Sequence, residues 1–486
     1  MFSLLTPPNP FHRGLRSRRE WLRVGGLSML GLSAEMLTRW RGLSSPVAGT
    51  DHSLSAAEST RERRRSHSCI FLFLFGGPSQ IDLWDMKPDA PTEIRGEFQS
   101  VSTAVPGIQI CEHLPRLAQQ MDKICLLRSM HHRMNVHGPA CSEVLTGREY
   151  FGAPTTDQAT DLDWPSLSAM TMRYASTPRG LPASIVLPWY LQFPGQPKRI
   201  AGQTGGRMGE RHNAMLIQGD AERNDFRVDG LEFRESIPLE RVRERRALLR
   251  HLHSVPVGPR DGNKPIDDFQ RQREHAYELI EQRAGEWLDL RRESPATRDR
   301  YGNSMIGQSL LMARRLVEAG VPLITVNWED QTKIDGVNTC WDTHQDNFPK
   351  LKNLLCPLFD QAFPALVQDL AERGLLETTL VVAVGEFGRT PHMGQFSQSS
   401  NTRKTGRDHW PQAFTALLAG GGVRGGQVYG ATDHHSAAVK DKPVTPADLS
   451  ATILTHLGVD PRRVYVDEFQ SQPHALSIGK PLLDLS

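Results

Sequence analysis

The chain contains no Cys-x-x-Cys pair; its six cysteines stand apart at Cys69, Cys111, Cys125, Cys141, Cys340 and Cys356. That spacing excludes a zinc ribbon and a thioredoxin-type redox motif. One or two disulfides remain compatible with an exported chain, but no pairing is readable. There is no His-Glu-x-x-His run, so a metal site would have to be assembled by the fold from separate loops. No internal repeat occurs, and no apolar run approaches the roughly 20 residues that a membrane-spanning helix needs. Charge of one sign is scarce, at a net +2 over 486 residues. It is unevenly placed: residues 1–65 hold 11 of the 57 Lys and Arg but 5 of the 55 Asp and Glu, which leaves the remainder slightly acidic. Such a body has no electrostatic footing for nucleic acid. Hydrophobic residues at 38% and charged residues at 23% allow a sizeable core and argue against global disorder. The length fits one large domain or two ordinary ones.

The basic excess sits in an address. Ser17-Arg18-Arg19-Glu20-Trp21-Leu22-Arg23 resembles a twin-arginine export signal, and a weakly apolar stretch follows from Val24 to Leu37. It is too short and too rich in Gly and Ser to span a bilayer. Residues 1–48 are expected to be the signal peptide and 49–66 a solvated linker. The expected location is the periplasm or cell envelope. The twin-arginine translocase is then a partner during export, and no stable membrane span remains after processing.

From Cys69 the body alternates strands and helices. Cys69–Phe75 is a continuous apolar run ending in Gly76-Gly77, as suits a strand buried on both faces of a parallel sheet. Similar runs recur at Lys123–Arg128, Ala183–Leu187, Val321–Val326, Thr379–Val384 and Phe414–Ala419. Helical periodicity covers Pro265–Glu293, Ser304–Ala319, Gln361–Arg373 and Pro446–Leu457, with Gly320, Gly374 and Gly458 as stops. This rhythm predicts a three-layer α/β/α fold with a mostly parallel, doubly wound sheet over 67–486. The Gly- and Arg-rich stretch around 192–260 is expected to be an irregular insertion.

Open α/β sheets bind ligands beyond the carboxyl ends of their strands. Asp82 and Asp85 follow the first strand, His137 the second, Asp342 and His344 the fourth, and Glu386 and Arg389 the fifth; His409 precedes the sixth. Asp, Glu and His are the ligand set of Zn, Mn, Mg or Ca, so one or two divalent ions are expected.

His137-Gly-Pro-Ala-Cys-Ser-Glu-Val-Leu-Thr-Gly-Arg148 resembles the sulfatase signature, through Pro139 and Leu145–Arg148. His137 stands at the nucleophile's place and Cys141 at that of the signature arginine. Thr379–Gly388 resembles the late strand whose tip carries a metal-binding Asp, with Glu386 in that place. Asp342-Thr-His344 looks like the Asp/His metal pair of the superfamily, and His409 like its late histidine. GGPSQIDLWDMKPDAP, NVHGPACSEVLTGR, WDTHQDNF, GEFGRTP and GRDHWPQAFTALLAGGGVRGGQVYGATD together resemble the exported proteins known as domain of unknown function 1501. The resemblance implies an alkaline phosphatase-like core and a sulfatase-like label, while the residue that sulfatase chemistry needs is absent at the matching place. Gly76-Gly77 replaces the acidic pair such a core has after its first strand, and Asp82 or Asp85 is expected to supply the missing carboxylate.

The expected activity is metal-dependent hydrolysis of phosphate or sulfate esters, on a small molecule or a polysaccharide. Asp82, Asp85, Asp342, His344, Glu386 and His409 are the candidate ligands. His137 is a candidate nucleophile, general acid or ligand, and Arg148 and Arg389 are candidate anion contacts. Pro139 is expected at the first position of a short helix whose N-terminus favours an anion. The alternative is a catalytically silent, metal-stabilised binding module for polysaccharide or a partner protein.

Overall fold

The computed structural model describes residues 67–152, 158–178, 180–193, 199–220, 225–227, 239–254, 274, 277, 287–329, 341–398 and 402–485. The signal and linker expected over 1–66, most of the helix expected over Pro265–Glu293, and Cys340 lie outside them. The main sheet contains β1 (Ser68–Leu74), β2 (Ile124–Met130), β3 (Ser184–Leu187), β4 (Met215–Leu216), β5 (Leu323–Trp328), β6 (Thr379–Val384), β7 (Phe414–Ala419) and β8 (Gln427–Tyr429). Their order is β8-β2-β7-β6-β1-β5-β3-β4. Within it β7 runs antiparallel to both β6 and β2, while the other pairings are parallel. All six strands expected from the apolar runs are present. The β4 edge comes from within the 192–260 stretch, so that segment extends the sheet.

The alternation of β1 builds two cores. Cys69, Phe71, Phe73 and Phe75 face one side with Val382 and Val384, under α1 (His137–Thr146), α2 (Leu167–Tyr174) and α5 (Pro446–His456). Ile70, Leu72 and Leu74 face the other with Ile324, Val326 and Trp328, under α3 (Met305–Ala319) and α4 (Cys356–Glu372). Each fully buried Phe or Leu contributes about 1.5–3 kcal/mol, so neither face of β1 is dispensable. The central strand therefore reads as unbroken hydrophobic sequence.

Local signals fix the helix ends. Ser304 caps α3 by accepting from Gly307 N, and Gly320 closes it with φ +97°. Thr445 and Asp448 form a reciprocal capping box at α5. Helix α1 begins two residues before the expected start, at His137, which places Pro139 third. Proline is tolerated there because the first four helical N–H groups have no partner within the helix. Cys69, Cys111, Cys125 and Cys356 are buried, and burial pushes the Cys125 thiol up to about 12. Among the described residues no helix is long and apolar enough to cross a membrane.

Candidate metal centre

The site forms where β1, β2 and β6 end. Gly76 and Gly77 leave β1 with φ of +107° and +74°, a region that L side chains rarely enter. A Cβ on Gly76 would lie 2.4 Å from the Asp342 amide nitrogen, and one on Gly77 would lie 2.6 Å from the Phe387 ring. The bare backbone lets two chain segments close in. Gly76 N donates to both carboxylate oxygens of Glu386, at 2.9 and 3.1 Å. Trp341 N donates to Phe75 O at 3.2 Å, which brings Asp342 beside the end of β1.

Four side chains converge there. One ligand atom each from His137, Asp342, His344 and His409 lies within 4.8 Å of the others. Asp342 Oδ2 is 3.3 Å from His137 Nε2, and Oδ1 is 2.9 Å from His344 Nε2 and 3.4 Å from His409 Nε2. The Nε2 atoms of His344 and His409 are 2.9 Å apart. The other nitrogen of each ring is engaged outside the cluster: His137 Nδ1 with Glu386 Oε1 at 2.5 Å, His344 Nδ1 with Thr402 Oγ1 at 2.9 Å, and His409 Nδ1 with Asn135 O at 2.7 Å.

This pattern tests the fit of a cation. A carbonyl only accepts, so His409 Nδ1 carries the hydrogen and its Nε2 presents a lone pair to the cluster. Glu386 holds His137 by the same logic, as a carboxylate behind a ligating imidazole does. Three imidazoles and one carboxylate form a donor set that fits zinc or another borderline divalent ion. The residues present could therefore hold a metal.

The electrostatics agree. Burial alone would raise the Asp342 pKa, but Arg389 and His137 outweigh it and hold the carboxyl well below its usual range. Burial would likewise lower His137, yet Asp342 and then Glu386 push it up to about 9. Burial, followed by the charge of His137, pushes His409 down to about 3, so that ring is neutral. Aromatic rings wall the cluster, with the Phe387 centroid 4.4 Å from that of His409 and the Phe75 centroid 5.4 Å from that of His137.

The structure assembles His137, Asp342, His344 and His409, with Glu386 directly behind His137. It does not bring Asp82 or Asp85 there. Both Asp82 oxygens are taken by the Arg407 guanidinium, at 2.8 and 2.9 Å, and by Ser79 and Asn347. Asp85 accepts from Ser436 Oγ at 2.6 Å, from Thr432 and from Lys87. Their position just after β1 suggested ligands, but buried arginine and hydroxyl partners occupy them. Arg148 lies just past the far end of α1, whose ten residues at 1.5 Å each span about 15 Å. There it donates to Ala475 O and sits 5.0 Å over the Trp164 ring. Arg389 does reach the cluster, but as a clamp. Nη2 holds Asp342 Oδ1 at 2.5 Å and also Gly76 O, Nε holds Gly77 O at 2.9 Å, and Nη1 holds Arg407 O at 3.2 Å. Cys141 and Ser142 are buried within α1.

Several supporting residues carried no sequence signal. A carbonyl such as that of Asn135 is anonymous in sequence, and Thr402 stands in a polar run. His132 was visible in the His131–Gly138 cluster. It is buried, accepts from Met134 N at Nδ1, and its Nε2 meets Glu386 O at 2.5 Å. Burial pushes it down to about 4. It anchors the backbone that presents Glu386.

No curated protein sequence matches the chain. Similar solved structures include a Bacteroides thetaiotaomicron protein from work on the metabolism of multiple glycosaminoglycans, with 10% identity over 87% of this chain and 81% of that one and a TM-score of 0.41. A phosphonate monoester hydrolase from Silicibacter pomeroyi matches at 11% identity, 86% and 76% coverage and a TM-score of 0.35. A sulfatase from Pseudoalteromonas sp. matches at 12%, 92% and 72%, with a TM-score of 0.33. Residues 66–484 match the family described as protein of unknown function (DUF1501), and with nearly the whole length covered the chain belongs to that family.

Proposed function

We propose that the protein is a metal-dependent hydrolase of phosphate or sulfate esters, exported through the twin-arginine route. The observation that carries this reading is the convergence of three imidazoles and one carboxylate within 4.8 Å, with each Nε2 facing Asp342 and the far side of each imidazole already bonded. His137, Asp342, His344 and His409 would hold the ion. A divalent cation bound there acts as a Lewis acid on an ester oxygen and makes water more acidic.

The chain's own residues do the rest. Glu386 keeps the His137 ring oriented and balances its charge. Arg389 fixes the Asp342 carboxylate rather than gripping substrate, since each of its nitrogens already donates to this chain. The buried rings of Phe75 and Phe387 wall the cluster and strengthen the electrostatics inside. Ordinary formylglycine chemistry has no place here, because His137 occupies the signature position and Cys141 is buried. The Arg-rich segment at Ser17–Arg23 and the apolar stretch after it support export.

The test joins metal content to turnover. The parent, purified from its export compartment, should carry one or two equivalents of divalent metal by mass spectrometry, and a D342N/H344A variant should lose them. The metal-loaded parent should hydrolyse aryl phosphates or sulfates. Folded parent without metal removes the proposal.

One observation favours a second reading. Arg389 already neutralises part of Asp342, as a site kept for stability rather than turnover would allow. Stoichiometric metal with no ester turnover would select that metal-stabilised binding module, for polysaccharide or a partner protein.

A further inference from the structure

The register of the three central strands places a second glutamate beside the site. Phe73 pairs with Val384 of β6, and Leu74 with Trp328 of β5. Continuing each strand sets Phe75 level with Glu386 on one side and with Glu329 on the other. The pleat decides the face. Leu74 and Trp328 belong to the core under α3 and α4, and Phe75 to the core under α1. Side chains alternate along a strand, so Glu329 follows Trp328 onto the face of α1 and His137. Thr325, two pairs of residues earlier in the same alternation, meets Ser168 of α2 there at 3.1 Å.

A second contact links Glu329 to the cluster. Its Oε2 accepts from Gln192 N at 3.4 Å. The next residue, Phe193, puts its ring 6.1 Å from that of Phe75 and 6.4 Å from that of His137. Strands lie about 4.8 Å apart, so two spacings set Glu329 on the order of 10 Å from Glu386, the residue that bonds His137, a span that one bound ester can bridge. It is 5% exposed. Among the described residues no cation pairs with it, and its neighbours on this face of β5, Asn327 and Thr325, are uncharged. Among the described residues, Glu386 and His137 lie on this face beyond β1, and Arg199, bridged to Gln192, sits over the Tyr190 ring. Burial pushes the Glu329 pKa up to about 8 and outweighs the lowering effect of the Gln192 amide, so it keeps its proton at neutral pH.

We infer that Glu329 is the general acid that protonates the leaving-group oxygen of the ester. This rests on the hydrolase reading above. As the bond from phosphorus or sulfur to the bridging oxygen breaks, its electron pair passes to that oxygen. Glu329 gives its carboxyl proton to the same oxygen, and the alcohol departs. Water adds to phosphorus or sulfur, and one of its protons restores the Glu329 carboxyl. The sum is ester plus water to acid plus alcohol.

The test compares metal-loaded parent and E329Q on 4-nitrophenyl phosphate and sulfate and on the corresponding ethyl esters. A nitrophenolate leaves without help and an ethoxide does not. E329Q should slow the ethyl esters about 10²–10⁴-fold and change the nitrophenyl esters by less than about threefold. The fall in parent activity on ethyl esters at alkaline pH should vanish in E329Q. Independently of turnover, difference infrared between parent and E329Q at pH 7 should show a protonated carboxyl band. Equal slowing of both ester types, no slowing of either, or no such band overturns the role of Glu329 and leaves hydrolysis standing. No turnover by the parent on any ester overturns both.

Discussion

His344 Nε2 and His409 Nε2 lie 2.9 Å apart, although His409 Nδ1 is bound to a carbonyl that can only accept its hydrogen. Two lone pairs facing each other at that distance repel, so a proton or a cation belongs between the rings. Asp342 closes the same space from a third side.

Metal affinity should therefore depend on pH with a defined sign. His137 is raised to about 9, so it carries a proton below that pH, and a ligating ring must lose it. Affinity for zinc should rise about tenfold per pH unit and level off as pH passes the His137 value. Calorimetric titrations at pH 6, 7 and 8 in buffers of different ionisation heat would check this. Equal affinity at all three, with no proton released, is the contrary result.

Metal removal should lower stability. An ion that binds only the folded chain contributes about 2.7 kcal/mol when present at 100 times its dissociation constant. Chelation should lower the melting temperature of the parent and leave that of H409A unchanged.

The buried pair of Asp82 and Arg407 should prove structural. D82A strands the guanidinium with no carboxylate and should cost about 3–5 kcal/mol. At a temperature where the variant stays folded, its metal content should equal that of the parent. Loss of metal from folded D82A would return Asp82 to the ligand set.

Gly76 should tolerate no side chain. In G76A the new methyl meets the Asp342 backbone rather than a yielding side chain. Metal affinity should fall at least tenfold while far-ultraviolet dichroism stays unchanged, because the collision displaces Asp342 and leaves the strands in place. Parent-like affinity would show that the Asp342 segment moves freely.

Acid stability should depend on Asp369, away from the site. It joins Arg314, Arg373 and Tyr301 between α3 and α4. Burial alone would raise its pKa, but Arg373 and Arg314 outweigh it and the net shift is downward. A depressed carboxylate contributes stability above its unfolded value near 3.9, and that contribution is lost as pH falls through the folded value. The fall in urea midpoint from pH 7 to pH 3 should be steeper for the parent than for D369N.

Much of this was legible in the sequence. The strands at Thr379–Val384 and Phe414–Ala419 lie where the apolar runs put them, because strands buried on both faces admit few polar residues. The reversed direction of Phe414–Ala419 was not legible, since hydrophobicity carries no sense of direction. His137, Asp342, His344 and His409 stood out as ligand types at strand ends. Asp82 and Asp85 stood out equally, and only the long-range placement of Arg407, Thr432 and Ser436 separates them from ligands. Arg148 fits the signature by spacing, yet ten helical residues carry it away from His137. Asn135 contributes through its backbone, which its identity does not announce.

The glycine pair closing β1 also bears on ancestry. If this core descends from one with acidic residues at 76 and 77, the way back is obstructed at its first step. Either substitution alone meets an atom closer than 3 Å, Asp342 N at one and the Phe387 ring at the other. Each single intermediate would distort the segment that holds Asp342 or the ring that lies against His409 before any new carboxylate could serve. On that descent the change to glycine would work as a ratchet, since each single reversal collides with its neighbour.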